Sequence, residues 1–140
     1  VRRTAHRLRV VEAAAMLSFA MLLLWILPFR RVARLVGRVE AAGETSLPPP
    51  ADAPVRAVGR AVEAAARRLP WRPLCLPQAL AASLMLRRRG VPSALHIGVA
   101  MGEGRKFQAH AWLVAAGGVV CGGPAAVGMT PIAAIRARGG

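Results

Sequence analysis

At Gly90-Val91-Pro92 the spacing of apolar residues changes, and this single change limits the folds open to the chain. Before it, apolar residues recur at intervals of three and four, the period of an α-helix. After it they alternate, the period of a β-strand. Val55, Val58, Val62, Ala65 and Leu69 form one helical stripe over Val55 to Leu69. Arg56, Arg60, Glu63 and Arg67 lie on the other side and read as a solvated face, with Glu63 and Arg67 placed to pair at i,i+4. Beyond Pro92, Leu95, Ile97, Val99 and Met101 alternate with Ala94, His96, Gly98 and Ala100. Helices first and strands afterwards predict an α+β domain with a small antiparallel meander, not a parallel α/β sheet.

The other segments fit this order. Val10 to Leu27 is apolar except for Glu12 and Ser18. As a helix these residues span ~27 Å, close to but short of a bilayer core of roughly 30 Å. The preferred reading is a core or partner-docking helix. The alternative is membrane contact through 10–27, with basic residues at both ends and no clean orientation signal. Pro28-Phe29-Arg30-Arg31 is a poor signal-peptide cleavage site. Pro28 ends or kinks this helix, and a short basic amphipathic segment follows from Arg30 to about Glu40. Gly43 to Pro54, with Pro48-Pro49-Pro50, reads as an extended linker. The expected division is therefore 1–42, N-terminal helices; 43–54, linker; 55–140, catalytic core.

A helix from Cys75 or Leu76 to Arg89 is apolar nearly all round, the mark of a buried helix. Pro77 is tolerated in its first turn, Arg87 to Arg89 suit its C-terminal dipole, and Gly90 and Pro92 end it. A second strand is expected from Lys106 to Ala115 and a third over Val119 to Cys121, with a last strand or helical turn near Pro131 to Ile135.

The formal charge is +14; nineteen of the twenty basic residues are Arg, against six acids. Such a field attracts polyanions, anionic membranes or acidic peptides without choosing among them. No zinc-finger spacing, ribonucleoprotein motif or clear helix-turn-helix accompanies the charge, so nucleic acid is not an expected partner. Cys75 and Cys121 are too few for a disulfide framework, and with His96 and His110 they match no common zinc spacing. No metal and no cofactor is expected.

Cys75 stands at the start of the buried helix, where unpaired N–H groups and the helix dipole favour a thiolate. The bland alternative is a small buried hydrophobe. His110 lies on the second strand within Gln108-Ala109-His110-Ala111-Trp112, and Trp112 points to the same face. A cysteine from a helix start and a histidine from a facing strand can form a thiolate–imidazolium pair. Gln78, one turn past Cys75, is a candidate oxyanion donor, although the backbone N–H of Cys75 is the better one. A two-residue Glu103-Gly104 loop would place His110 opposite Ile97 and leave His96 on the wrong face to act as base.

The order of these blocks resembles a known family. Leu74-Cys75-Leu76-Pro77-Gln78-Ala79-Leu80, Leu86-Arg87-Arg88-Arg89-Gly90-Val91-Pro92, His96-Ile97-Gly98-Val99 and Phe107-Gln108-Ala109-His110-Ala111-Trp112 are similar to the transglutaminase-like leader peptidases of lasso-peptide biosynthesis. The apolar first helix followed by Leu27-Pro28-Phe29-Arg30 resembles them too. The resemblance implies a cytoplasmic thiol peptidase that removes the leader from a ribosomally made precursor peptide. Cys75 would be its nucleophile and His110 its base, with Trp112 and Gln78 supporting. It also implies a separate leader-binding protein and a lasso cyclase as partners. The family commonly has an Asp about a dozen residues after the His. Here no Asp, Glu or Asn follows His110, and the matching stretch is Val120-Cys121-Gly122-Gly123-Pro124. The Cys121–Gly122 region lacks an Asp and the third triad position is left unknown: either a backbone carbonyl holds the imidazole or a Cys–His dyad suffices. The rival readings are an inactive interaction protein on the same fold and a basic membrane-surface protein.

Overall fold

The computed structural model describes residues 2–41, 51–71, 73–102, 104, 106–116 and 118–138. The Ala-, Leu- and Met-rich N-terminal stretch has strong intrinsic helix preference and forms α1 (Arg2–Ile26). Val10, Ala13, Leu17 and Ala20, spaced by three and four, are its buried side. That side packs on α3 (Ala53–Arg68) and α4 (Cys75–Arg88). Residues 10–27 are thus core on one face, while the opposite face is exposed.

The C-terminal end of α4 is tied to α1 by charge. Arg89 grips Glu12 with two nitrogens at 2.9 and 2.7 Å, and Arg88 adds a third bond at 2.8 Å. A forked guanidinium–carboxylate pair is stronger than a single-point contact. The Arg89 hydrogen bond, helped by the charges of Arg89, Arg88 and Arg9, holds the Glu12 carboxyl below its usual range, against a smaller opposing effect of burial.

After Pro28, α2 (Phe29–Val36) buries Val32, Ala33 and Val36. The amphipathic segment expected to run to about Glu40 stops at Gly37, and Arg38–Ala41 forms β1, a strand the periodicity did not show. Four residues are too few to establish an alternating pattern. Of the Pro-rich linker expected over 43–54, residues 43–50 lie outside the described residues, and its last two, Ala53 and Pro54, instead form the first turn of α3, where proline is tolerated.

The sheet has the order β1-β5-β2-β3-β4, and every pairing is antiparallel. Strands β2 (Ser93–Met101), β3 (Phe107–Ala115) and β4 (Gly118–Cys121) are the expected meander, giving an α+β fold. The tail contributes a short helix, α5 (Gly123–Ala126), and then β5 (Thr130–Ala137), which inserts between β1 and β2. Pro131 falls where the β2–β5 register shifts, a place that tolerates a missing donor.

The β2–β3 register differs from the expectation. Met101 pairs with Phe107, so five residues, not two, connect the strands. His110 therefore lies opposite Gly98, and His96 opposite Trp112. A one-residue slip moves side chains to the other face; His96 consequently shares a face with Trp112 and His110.

Replacing Glu12 by Gln should lower stability by about 0.5–1 kcal/mol at neutral pH. A carboxylate with a lowered folded-state pKa contributes fully above its unfolded value, and the contribution is lost as pH falls through the folded value. The gap between wild type and Glu12→Gln in urea denaturation should therefore close as pH drops below the ordinary carboxyl value of 4.5.

Candidate active site

Cys75 is the first residue of α4, and Leu74 caps that helix without a side-chain hydrogen bond. In a helix the first N–H groups have no partner inside the element. Pro77 carries no donor, which leaves the N–H groups of Cys75 and Leu76 at this end. Gln78 also lines the site, but its amide donates to the Pro73 carbonyl at 2.9 Å. That bond pins the connector entering Cys75 and commits one of the two amide hydrogens that the oxyanion role would use.

His110 is brought in by β3. Its Nε2 lies 2.8 Å from the Gly122 carbonyl oxygen, twelve residues along the chain. A carbonyl only accepts, so Nε2 carries the proton and Nδ1 is the basic nitrogen of the neutral ring. Gly122 adopts φ +78, the left-handed region that favours glycine. A Cβ there would stand 2.8 Å from the Ala111 oxygen and 3.1 Å from His110 Nε2. The carbonyl contact at the third triad position thus depends on this glycine.

Trp112 stacks with two histidines. Its ring centroid lies 6.2 Å from that of His110 and 5.6 Å from that of His96, with interplanar angles of 18° and 12°. Gly98 makes room for the indole, since a Cβ there would come within 2.7 Å of it. Burial, with a smaller contribution from the charge of Arg136, pushes the His96 pKa down. His96 shares the Trp112 face but does not line the pocket that contains Cys75.

That pocket, of about 420 Å³, brings together Cys75, Gln78, His110, Cys121, Gly122 and Glu63. Among the described residues, no hydrogen bond links the Cys75 thiol to the His110 ring. Glu63 was expected on a solvated face paired with Arg67; instead it is half-buried in this pocket. Among the described residues no ion pair joins it to Arg67. Helix α3 keeps a solvated side, with Arg60 and Arg67 exposed, but its burial spreads beyond the expected stripe to Gly59, Ala61, Ala64 and Ala66, which leaves Glu63 at the edge of what faces inward. An acid inside the Ala-rich run Ala61 to Ala66 was the available signal. Cys121 is buried beside the same pocket, and burial, with Glu63 adding to it, pushes its thiol pKa up to about 12.

In comparison with known proteins, a family model described as the transglutaminase-like superfamily matches residues 6–134. No curated protein and no solved structure matches.

Alkylation of the native protein with iodoacetamide at mildly alkaline pH should label the half-buried Cys75 and spare Cys121, whose thiolate is scarce far below pH 12. Peptide mapping by mass spectrometry checks this; equal labelling would contradict the burial of Cys121. Gly122→Ala should cost about 1–3 kcal/mol in stability. It should also weaken the ¹⁵N NMR signature of an Nε2-protonated His110, because the new methyl displaces the carbonyl that selects this tautomer.

Proposed function

The chain belongs to the transglutaminase-like superfamily, and from that premise we propose that it is a cysteine peptidase that cuts the leader from a lasso-peptide precursor. One observation supports the chemistry above the rest: the His110 Nε2–Gly122 carbonyl bond beside Cys75. It supplies what the missing Asp would supply, a fixed ring and a defined tautomer, from a group that no substitution scan of acidic residues would notice. The superfamily includes cysteine peptidases, and the resemblance of the Cys75, Arg87-to-Pro92 and His110-to-Trp112 blocks to the lasso-peptide leader peptidases supports leader removal as the reaction.

Each step uses groups of this chain. Nδ1 of His110 takes the Cys75 thiol proton, and the thiolate attacks the scissile carbonyl carbon. The oxyanion develops at the α4 N-terminus, facing the Cys75 N–H. Imidazolium Nδ1–H then protonates the leaving amine as the C–N bond breaks, leaving a thioester. Water, giving its proton to Nδ1, adds to the thioester carbonyl, and Cys75 leaves as the acyl half departs as a carboxylate. The Gly122 carbonyl accepts the Nε2–H throughout and stabilises the imidazolium without taking a proton. Trp112 limits the ring's rotation from one side. A separate leader-binding protein would present the precursor, and a lasso cyclase would take the released core, all in the cytoplasm.

A non-catalytic interaction role has one observation in its favour, the absence of a thiol–imidazole hydrogen bond. Resting-state catalytic contacts often tighten only with substrate present, so this does not outweigh the convergence of the two groups in one pocket.

The test is a mass-spectrometric cleavage assay with the precursor and leader-binding protein encoded beside this chain. Wild type should release the leader, while Cys75→Ala and His110→Ala should each fall by about 10³-fold or more. Cleavage that survives Cys75→Ala, or no cleavage by folded, partner-bound wild type, would sink the peptidase.

A further inference from the structure

Helix α1 is apolar on two opposite sides. Val10, Ala13, Leu17 and Ala20 belong to the core. Opposite them, Leu8, Val11, Phe19, Leu22 and Ile26 are exposed. At 3.6 residues per turn these five fall within an arc of roughly 80°. Trp25, at the margin of that arc, is 85% exposed. The surface continues into an apolar hollow of about 550 Å³ where Trp25 and Leu22 meet Trp71 and Pro77. Contiguous apolar faces of this extent mark interaction sites.

The charges around the stripe say what fits it. Arg2, Arg3 and Arg7 lie at one end and Arg30, Arg31 and Arg34 at the other, all exposed. Glu12 is the sole acid in α1, and Arg88 and Arg89 already occupy it. The stripe is therefore flanked by cationic clusters at both ends, with no free acid of α1 between them. A second copy would bring a net +14 against +14, with arginine ends facing arginine ends. An anionic surface is the complementary one. Exposed tryptophan beside aliphatic residues and arginine suits the boundary between lipid headgroups and acyl chains. Crossing the bilayer is a different matter: α1 would have to leave α3 and α4 and strip the fully buried Leu17 from the core.

We propose that the outer face of α1 docks flat on an anionic bilayer surface, with Leu22, Trp25 and Ile26 in the headgroup–acyl boundary and the two arginine clusters on lipid phosphates. This surface is independent of the Cys75 chemistry. The full chain would be sedimented with vesicles of phosphatidylcholine alone, or of equal parts phosphatidylcholine and phosphatidylglycerol, at low and high salt. Binding should require phosphatidylglycerol and weaken with salt, since each basic residue near the surface contributes to attraction that salt screens. Leu22→Glu should weaken binding about tenfold or more with an unchanged circular dichroism spectrum. Trp25→Gln, at a side chain almost wholly in solvent, gives the same readout if Leu22→Glu disturbs folding. Failure of wild type to bind would overturn the proposal. So would binding that both variants leave intact, which would mean charge attraction alone. A dimer in sedimentation velocity that Leu22→Glu disperses would give the face to a second copy instead.

Discussion

The site depends on the burial of α4. Its residues Ala79, Leu80, Ala81, Ala82, Met85 and Leu86 are nearly or wholly removed from solvent, between α1 and α3 on one side and the strands on the other. A helix with so little polar surface has one stable place in a small domain, between layers. Once α4 is fixed there, its first residue is fixed as well. Cys75 is held at a helix start whose position is set by packing along the whole helix, not by the connector before it. The Glu12 clasp at the far end and the Gln78–Pro73 bond at the near end limit what motion remains.

The second half of the site follows from glycine, not from charge. The carbonyl that holds His110 is aimed by Gly122 in a left-handed conformation, and the indole stacked on His110 fits because Gly98 has no side chain. Both are subtractions: the absence of a Cβ lets a neighbour approach. They replace an acidic side chain with a main-chain dipole. A dipole fixes the tautomer as a carboxylate would, but stabilises an imidazolium less, because it carries no full charge. A chain with no acid after His110 can therefore still present an oriented base.

The same economy of polar groups marks the other face of the molecule. Alanine, leucine and arginine make up much of the N-terminal half, so helices that need only one apolar side often have two. For α4 the second side meets the sheet. For α1 nothing among the described residues covers it, and the arginines at its ends leave an anionic surface as the natural counterpart.

Much of this was legible in the order of residues, and the boundary is physical. Periodicity is local, and it sufficed for α3, α4, the β2–β3–β4 meander and the α+β class. Cys75 at a helix start, and His110 with Trp112 on one strand face, are also local facts. Strand β1 was too short to alternate, and the central place of β5 depends on pairings made across the sheet. The β2–β3 register turned on a connection five residues long where two were expected, and that one-residue slip set which face His96 occupies. Glu63 sits at the edge of a buried side of α3 that spreads past the expected stripe to Gly59 and Ala66, so the stripe did not show that it faces the pocket. The sequence by itself determined which elements form and which chemical groups they carry, because those follow from spacing and side-chain type. Only the tertiary structure decided that the Gly122 carbonyl is the group that holds His110 and that Glu63 lines the pocket, because close approach between distant segments leaves no trace in local pattern.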